Sequence, residues 1–497
     1  MGFVNLKLLS WLLFTTHRIR TISQNPGTPI RYSPELRTAL VFTGTGTFGA
    51  YHAGVIKAVQ EAGVKIDLVA GRGIGALSAM FAAIDGGEHL WNKSYGWPSS
   101  LVSRLYQWRW TLRVSTWILS VVFLAILFPL AVLCGGILVF PLGFLLRLSG
   151  FEVGAEMASW YTQIVELIFQ PHILPLYLPR FVTSVLLLLL ITLAVGVFVR
   201  SVKSRLHRRG RGSFWWNFFG GPLSISRISD WASDSLWRRM RGAAKIGRPN
   251  NKDLSERYAH LLIDNLGQPG YRDLIMLVHD IDGRRDLVSA LLSEKDRRYF
   301  FSRSPNDESR DRHLETIDLA GAGCRHVVDI MMAALGVPLA TKAHLISFSK
   351  ESAWNGEIHR LADRPESTSR LLEEVAHAGA EQVILVTAAA EIPGPHNLNA
   401  ERRDARGKVS EYLTSLESAS VRDALVSCAG YFQGVFQVRP SHNPLGMFDF
   451  DGCYDESSDR NYSLNELVDR GYEDARRQFV DSVVGASGEW IDSENRR

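Results

Sequence analysis

Residues 66–80 read IDLVAGRGIGALSAM, a pattern that predicts a buried strand, a tight glycine turn and a helix. The glycines Gly71, Gly73 and Gly75 have the spacing of a nucleophile elbow, G-x-S-x-G, with a glycine at the central position. An elbow holds one side chain on a strained turn at the mouth of an oxyanion hole. A glycine at its centre keeps the turn but supplies no nucleophile.

A glycine-rich loop precedes this turn. Residues 38–43 read TALVFT, as expected for a buried strand, and Gly44, Thr45, Gly46 and Gly49 lead into a helix predicted up to residue 63. Backbone N–H groups at a glycine-rich helix N-terminus can converge on an anion or on a developing oxyanion. Two units of strand, glycine turn and helix therefore follow one another.

This order of elements, with the motif GAYHAGV at residues 49–55, resembles that of the patatin-like lipid acyl hydrolases over residues 37–85. The resemblance implies a three-layer αβα sandwich around a mainly parallel sheet. In that family the first loop supplies the oxyanion hole, and the second turn carries the serine of a Ser–Asp dyad, where Gly73 stands here. Phe48 occupies the place of the basic residue that is usual in the family's loop.

Later segments extend the resemblance. Residues 327–350 resemble the family's alanine-rich helix, proline and strand, and residues 371–387 resemble its closing helix and strand. The family's dyad aspartate lies in a D-G-[GA] motif just before that helix. Asn355 has the matching chain order, whereas Asp451 begins a better string, Asp-Gly-Cys, but follows the closing strand. Both candidates stay open, and with Asn355 both halves of the dyad would be missing.

Other hydroxyl and imidazole groups near the glycine turns are expected to have structural roles. Ser78 lies more than one helical turn beyond the elbow position, and His52 belongs to the first predicted helix. Thr45 and Thr47 are loop threonines, which more often satisfy backbone groups than attack a carbonyl. Because a hydrolase of this type needs a nucleophile and a base within hydrogen-bond reach, the sequence predicts that the ordinary mechanism is absent.

Arg72 directly precedes the empty nucleophile position. An arginine beside converging N–H groups suits a carboxylate or a phosphate, which leads to the hypothesis of a fatty-acid or anionic-lipid site. In the alternative, Arg72 faces solvent or pairs with an acid such as Asp85. A dinucleotide-binding fold would use the same glycine chemistry, but it needs an acid at the end of the second strand, and Asp67 begins that strand.

Two long apolar runs interrupt the resemblance, at residues 117–146 and 181–199. Both exceed the length of about 18 apolar residues that indicates a transmembrane helix. The first run is long for one span and short for two, and its prolines and glycines allow either one kinked helix or a re-entrant hairpin. Because one domain cannot assemble across a bilayer, the number of crossings must be even, and two spans are the simplest arrangement.

The charges that flank these runs predict their orientation. Residues 200–211 carry several lysines and arginines and no acid, whereas residues 149–179 carry three glutamates and neither lysine nor arginine. The positive-inside rule therefore places the patatin-like parts and both termini in the cytoplasm. The basic run is expected to attract anionic head groups, and the net charge of only +4 gives no reason to expect nucleic-acid binding.

The predicted division has five parts: 1–37, an amphipathic membrane-proximal segment; 38–100, the first patatin-like part; 101–212, the helical insertion; 213–390, the second patatin-like part; and 391–497, a C-terminal helical and loop region. The four cysteines show no metal-ligand spacing, so neither metal nor cofactor is expected. Protein partners cannot be inferred.

The sequence thus predicts a membrane-anchored patatin-like protein, catalytically impaired, that binds or senses a lipid or fatty-acyl ligand at the cytoplasmic face. One alternative is an active lipid acyl hydrolase with an atypical nucleophile. The other is a nucleotide-binding membrane protein.

Overall fold

The computed structural model describes residues 32–99, 105–205, 221–302, 309–350, 352–389, 405–441, 445–450, 452–455 and 460–485. Most of the predicted N-terminal amphipathic segment, and Asp451, lie outside these ranges. The described strands are β1 (Thr38–Phe42), β2 (Leu68–Arg72), β3 (Gln107–Trp108), β4 (Leu223–Ser224), β5 (Asp273–Asp280), β6 (Arg285–Leu291), β7 (Thr316–Asp318), β8 (His344–Ser347), β9 (Ile358–Ala362), β10 (Gln382–Val386), β11 (Gly434–Val438), β12 (Cys453–Asp455) and β13 (Arg460–Tyr462).

The described α-helices are α1 (Gly49–Glu61), α2 (Ile74–Ala83), α3 (Glu88–Trp91), α4 (Trp110–Leu148), α5 (Val153–Ile168), α6 (Leu174–Arg205), α7 (Ser226–Arg241), α8 (Asn251–Asn265), α9 (Glu294–Phe301), α10 (Ser309–Glu315), α11 (Val327–Ala334), α12 (Thr368–His377), α13 (Ala405–Cys428) and α14 (Leu464–Ala475). A π-helical segment, Arg476–Val484, continues α14. Short 3-10 turns occupy Gly46–Phe48, Cys324–His326, Pro365–Ser367 and Ala429–Tyr431.

The main sheet is mainly parallel. Its strands follow the order β11-β10-β1-β2-β5-β6-β7, β9 pairs with the end of β5, and β8 pairs with β9. The pairs from β11 to β5 are parallel, whereas β5 is antiparallel to both β6 and β9. The α/β class predicted from the sequence is therefore present, and β1 and β2, which carry the two glycine turns, lie side by side in its centre.

Hydrophobic cores cover both faces of this sheet. Leu40 and Phe42 of β1 join one cluster with α1, α2, α11 and α14, and the alternate residues Ala39 and Val41 join a second cluster with α12 and α13. Such alternation follows from the two-residue period of a strand. A strand buried on both faces is apolar throughout, as TALVF is.

The C-terminal region belongs to the same layers. Strand β11 extends the sheet in parallel register with β10, and α14 packs against α1. The division drawn at residue 390 is therefore not a structural boundary. Gly54 of α1 and Gly471 of α14 allow the two helices to approach at backbone distance, because a Cβ on either residue would overlap the facing helix.

The helical insertion contains α4, α5 and α6. The first apolar run forms one continuous helix of 39 residues that includes Pro129 and Pro141. Near its start, Thr111 lies against Gly196 of α6, and farther along Gly143 lies against Gly154 of α5. The helix therefore packs on α6 in its first half and on α5 in its second half.

Two of these helices are long and apolar enough to cross a membrane. They are Trp110–Leu148 and Leu174–Gly196, and only 17% and 6% of their most apolar windows are buried within the protein. A core helix of a water-soluble protein would instead be mostly buried. At 1.5 Å per residue the two helices measure roughly 58 and 35 Å, against about 30 Å for the hydrocarbon core of a bilayer.

The two ends of the insertion meet where they leave the main domain. Strand β3 pairs with β4 in antiparallel register, Trp108 opposite Leu223. The N–H of Arg109 donates to the carbonyl oxygen of Pro222 at 3.0 Å, and the N–H of Leu223 donates to that of Ala340 at 2.8 Å. The insertion is therefore fastened to the domain by backbone hydrogen bonds at its base.

We expect Gly471→Ala to lower the free energy of unfolding by about 1–3 kcal/mol, because the added methyl group overlaps the carbonyl oxygen of Tyr51 and forces α1 and α14 apart. Gly430→Ala is the control, since nothing lies within 4 Å of its Cβ position. Denaturant unfolding of the full chain in micelles measures both effects. Equal stability of the two variants would contradict the close approach of the helices.

Candidate functional site

The turn between β2 and α2 has the geometry of an elbow. Gly73 has φ 55° and ψ −138°, a conformation that strains a residue with a side chain. A Cβ on Gly73 would overlap the carbonyl oxygen of Gly44 and would lie 2.9 Å from Oδ2 of Asp363. The space that an elbow side chain would enter is therefore filled by the first glycine loop. Gly71 and Gly75 allow α2 to sit directly on the strands, because a Cβ on either would overlap backbone atoms.

The glycine loop turns a carbonyl group toward the elbow. Gly44 has φ 99° and Gly46 has φ 70°, both in the region that favours glycine. The carbonyl oxygen of Gly44 accepts a hydrogen bond of 3.1 Å from the N–H of Ile74, the first residue of α2. An N–H at the start of this helix, where an oxyanion would be held, is thus already occupied.

Asp363 is the carboxylate at the elbow. It directly follows β9 and is buried, and its Oδ2 accepts hydrogen bonds from Oγ1 of Thr45 at 3.0 Å and from Arg72 at 3.4 Å. Its Oδ1 has no hydrogen-bond partner among the residues that the structure describes. Burial raises the pKa of Asp363 to about 6, a rise that Arg72 opposes and Glu417 reinforces.

Arg72 is fully buried at the end of β2. Its Nε donates to Oγ1 of Thr368 at 3.1 Å, and its two terminal nitrogens donate to Asp363 and to Glu417 of α13. Burial disfavours its charge, but Glu417 and Asp363 more than compensate and raise the pKa of Arg72.

Arg72 therefore does not face solvent; it pairs with acids, as the alternative expected, but these are Asp363 and Glu417 and not Asp85. Oδ1 of Asp85 instead lies 2.7 Å from Gln60 and 3.6 Å from Arg272, on another part of the domain. The other hypothesis is that Arg72 binds an external carboxylate or phosphate, and the same contacts argue against it. Two side-chain carboxylates of the protein already hold its guanidinium group.

The side chains of Tyr106 and Phe450 form a cover over the elbow. Tyr106 stacks on Phe450 with ring centroids 4.8 Å apart, and its hydroxyl donates to the carbonyl oxygen of Leu335. Burial and the charge of Asp363 raise the pKa of Tyr106, and the ring of Phe450 lies 3.6 Å from the Cβ position of Gly46 in the glycine loop. Oγ1 of Thr47 donates to the carbonyl oxygen of Asp449 at 2.6 Å and ties the loop to this cover. All of residues 38–56 and 68–84 are buried.

His52 and Ser78 form a pair inside the domain. Nδ1 of His52 lies 2.9 Å from Oγ of Ser78, so the pair joins α1 to α2. Both side chains are buried, and burial lowers the pKa of His52 to about 3, which keeps the imidazole neutral. The structural roles expected for these two residues agree with this placement. Phe48 is buried as well and packs its ring on Tyr51 and His52.

A family model for patatin-like phospholipases matches residues 40–129, which include both glycine turns. This part of the chain is similar to the patatin-like phospholipases. Over 68 residues it is 40% identical to the patatin-like phospholipase domain-containing protein 6 of Homo sapiens and to that of Mus musculus, a segment that covers 14% of this chain. The same segment is only 5% of either relative's length.

A solved structure, VipD from Legionella pneumophila, aligns over 92% of this chain and 67% of its own, with 13% identity and a TM-score of 0.29. A TM-score of this size carries no argument about the fold.

In the patatin-like family a dyad aspartate faces the elbow residue. In this chain the residue at that position is Asp363 and not Asn355. Asn355 lies in the turn between β8 and β9, with φ 48°, at the other end of β9 from the elbow. Asp451 lies outside the described residues. Asp363 precedes the closing helix, as the family's order requires, but it is followed by Arg-Pro instead of Gly, so a search for the D-G string misses it.

The sequence does not predict Glu417 as a site residue either, because it lies on α13, after the closing strand, and no motif around it marks it. Asp67, the acid considered for dinucleotide binding, accepts a hydrogen bond from the N–H of Thr38 at 2.9 Å at the start of β2. That strand ends on Arg72, so the acid required at its end by a dinucleotide-binding site is replaced by a cation. Among the described residues no group of histidine, cysteine and acidic side chains could hold a metal.

We expect Arg72→Met to lower the free energy of unfolding by about 3–5 kcal/mol, because it leaves two buried carboxylates without their counter-charge. Adding Asp363→Asn and Glu417→Gln to this variant removes the uncompensated charges and should restore a large part of the loss. Denaturant unfolding of the full chain in micelles gives both values. A triple variant as unstable as Arg72→Met would show that the charges are not the cause.

The raised pKa of Asp363 predicts a pH dependence. Between the pKa of an unfolded aspartate, about 4, and the folded value of about 6, only the folded state binds the proton. The contribution of Asp363 to stability therefore falls as the pH rises through this window. His52 acts in the opposite sense, because its lowered pKa favours folding as the pH rises.

We therefore expect the stability difference between the protein and Asp363→Asn to change from pH 4 to pH 6.5, in the sense that the unmodified chain loses more. Thermal unfolding at several pH values measures it. Parallel curves for the two proteins would show that Asp363 does not titrate in this range.

Proposed function

We propose that this chain is a membrane-anchored patatin-like protein that has lost hydrolytic function and binds or senses lipid at the cytoplasmic face. One observation supports the loss of hydrolytic function: the carbonyl group of Gly44 occupies the space that a side chain on residue 73 would need. The family match concerns only part of the chain, so the activity of its relatives is not transferred with it.

The remaining chemical groups support the loss of hydrolysis. A Ser–Asp mechanism needs a hydroxyl at residue 73, a free carboxylate and unoccupied N–H donors. Residue 73 is glycine, Asp363 is held by Arg72 and Thr45, and the N–H of Ile74 is bonded to Gly44. Each requirement fails for a separate reason, so a single substitution is not expected to restore the reaction.

Membrane anchoring is supported by the apolar helices α4 and α6. Their most apolar windows have mean hydropathies of 2.8 and 2.2, and most of their large apolar side chains are exposed. Exposed tryptophans at Trp108 and Trp110 lie at the base, where interfacial anchors are found. With two crossings, the basic flanks lie in the cytoplasm and the acidic segment 149–179 on the other side.

A second candidate function is acyl hydrolysis with Thr45 as the nucleophile. Its Oγ1 donates to Asp363, whose pKa near 6 suits a general base at neutral pH. The burial of both groups argues against it, because a substrate would need the cover formed by Tyr106 and Phe450 to move.

Ester hydrolysis by the purified full chain, with 4-nitrophenyl butyrate and a fluorogenic phospholipid, tests the loss of activity. We expect no hydrolysis above the buffer rate from the unmodified chain or from Gly73→Ser. That variant should also be less stable, by about 1–3 kcal/mol, because its side chain overlaps Gly44. Gly73→Ala is the matched control for the effect of the Cβ atom alone.

Hydrolysis by Gly73→Ser but not by Gly73→Ala would mean that the site needs only the missing hydroxyl, contrary to the proposed loss of the other groups. Hydrolysis by the unmodified chain would overturn the proposal outright. If that activity disappeared in Thr45→Val and persisted in Thr47→Val, the second candidate function would be established.

The membrane topology can be tested with glycosylation acceptors in microsomes. The chain has natural acceptor sequences at Asn92 (Asn-Lys-Ser) and Asn461 (Asn-Tyr-Ser), both in parts placed in the cytoplasm. We expect neither to be modified, whereas an acceptor on a long spacer inserted after Gly150 should be modified. The protein should also resist extraction with alkaline carbonate. Glycosylation of Asn92 would reverse the orientation, and full extraction would remove the anchoring.

A further inference from the structure

The turn that follows α11 presents an exposed leucine on a strained backbone. Leu339 has φ 63°, and across it the N–H of Ala340 donates to the carbonyl oxygen of Pro338 at 2.8 Å. A hydrogen bond between residues i and i+2 around a residue with positive φ is the geometry of the strained form of the γ-turn, which is rare. The side chain of Leu339 is nevertheless 74% exposed. Packing inside the protein therefore does not account for this leucine.

The other residues in this backbone conformation have different chemistry. Besides the glycines, the described residues with positive φ are Asp85, Arg284, Asn355 and Leu339, and all four are exposed. The first three are polar, as is usual in exposed turns. Glycine or asparagine would form the turn at Leu339 with less strain. The need for a turn therefore does not account for the leucine either.

Buried neighbours fix the turn on both sides of Leu339. Val337 is 1% and Ala340 is 5% exposed, and the N–H of Thr341 donates to the carbonyl oxygen of Val337 at 3.0 Å. The carbonyl oxygen of Ala340 accepts a hydrogen bond of 2.8 Å from the N–H of Leu223. The side chain of Leu339 thus projects from a backbone that is held in place.

The turn lies beside the start of the apolar helices. Leu223, which bonds to Ala340, pairs with Trp108, two residues before α4 begins. Neighbouring strands are about 4.8 Å apart, so the turn lies within about 10 Å of β3. Gly196, the last residue of the second apolar window, lies against Thr111 at the start of α4. The turn is therefore close to the level at which both apolar helices meet the sheet domain.

Two tryptophans lie at the same level. Trp108 is 56% and Trp110 is 66% exposed, and exposed tryptophans at the end of an apolar helix are typical of the interface between membrane and water. The head-group region on each side of the hydrocarbon core is about 5–8 Å thick, so a side chain this close to the helix ends can reach the acyl chains. An apolar side chain that enters them leaves water, which is favourable. Contact with acyl chains would therefore account for a leucine at this exposed turn.

We propose that the turn around Leu339 is a lipid-contact site, whose leucine side chain inserts into the cytoplasmic leaflet beside α4 and α6. The proposal rests on the proposed membrane anchoring and adds a point of contact on the sheet domain itself. The partner is the acyl region of a phospholipid bilayer. The hydroxyl of Tyr106, whose ring covers the elbow, donates at 3.0 Å to the carbonyl oxygen of Leu335, four residues before Leu339. The inserted turn therefore holds the cover of the elbow next to the leaflet.

Photo-crosslinking to lipid tests this contact. A benzophenone amino acid, p-benzoylphenylalanine, takes the place of Leu339, and the full chain is reconstituted in dioleoyl phosphatidylcholine vesicles and irradiated. The new side chain keeps a Cβ atom and stands at an exposed position, so the turn is retained. We expect an adduct of one protein and one lipid in the intact mass.

The matched control carries the same amino acid in place of Val426. This residue is 82% exposed on α13, which packs on the other face of the main sheet. We expect the adduct yield at Leu339 to be at least about tenfold that at Val426, because residues outside the bilayer do not reach acyl chains. Equal yields would show random collision with the vesicles and overturn the site.

The same amino acid in place of Trp117 separates this proposal from the anchoring on which it rests. Trp117 is 72% exposed on α4 and should form the adduct whenever that helix lies in the bilayer. An adduct at Trp117 but not at Leu339 would overturn the lipid contact of the turn and leave the anchoring intact. The absence of an adduct at both positions would remove both proposals.

A phosphatidylcholine with a diazirine in its acyl chain gives a second measurement, on the unmodified chain. After irradiation and digestion with trypsin, we expect label in the peptide of residues 326–342, which contains the turn, but not in residues 409–422 of α13. Label in α4 and α6 reports the anchoring. A labelled insertion with an unlabelled peptide 326–342 would contradict the contact at Leu339.

Discussion

The arrangement around the elbow depends on one buried cation. Arg72 ends a central strand and holds Asp363, which follows β9, and Glu417 of α13 in the same cluster. Three parts of the chain that are far apart in sequence are thus joined where the sheet meets the helices. Burying one arginine with two acids is costly, and the hydrogen bonds from Thr45 to Asp363 and from Arg72 to Thr368 offset part of this cost, whereas Oδ1 of Asp363 has no partner among the described residues. The carboxylate that faces the elbow is consequently a structural counter-charge in this molecule.

The sequence predicted those parts of the fold that depend on local pattern. The strands beside the glycine turns, the helix before Pro338 and the closing helix and strand are all present, because apolar runs and glycines determine them over a few residues. The partners of Arg72 could not be predicted in this way, since an ion pair between β2 and α13 exists only once the domain is assembled. Asp363 was missed for a different reason: its position in the order of elements was right, but the residues after it lack the expected glycine.

In the helical insertion, too, the sequence predicts some features and not others. Hydropathy gave the two apolar runs but not the number of helices in the first one, because Pro129 and Pro141 are compatible with a kink, a turn or a continuous helix. In the structure the run is one continuous helix, which contacts α6 near its start and α5 in its second half.

The pairing of β3 with β4 has a consequence for how this fold is built. Trp108 and Leu223 face each other in antiparallel register, as two residues of a hairpin do, although more than a hundred residues separate them along the chain. A two-residue turn has the reach to join such strands. The helical insertion is thus a detachable module, and replacing residues 109–222 with a short turn would leave the ends of the sheet domain in register. The main sheet includes neither β3 nor β4, so its strand pairing does not depend on the insertion.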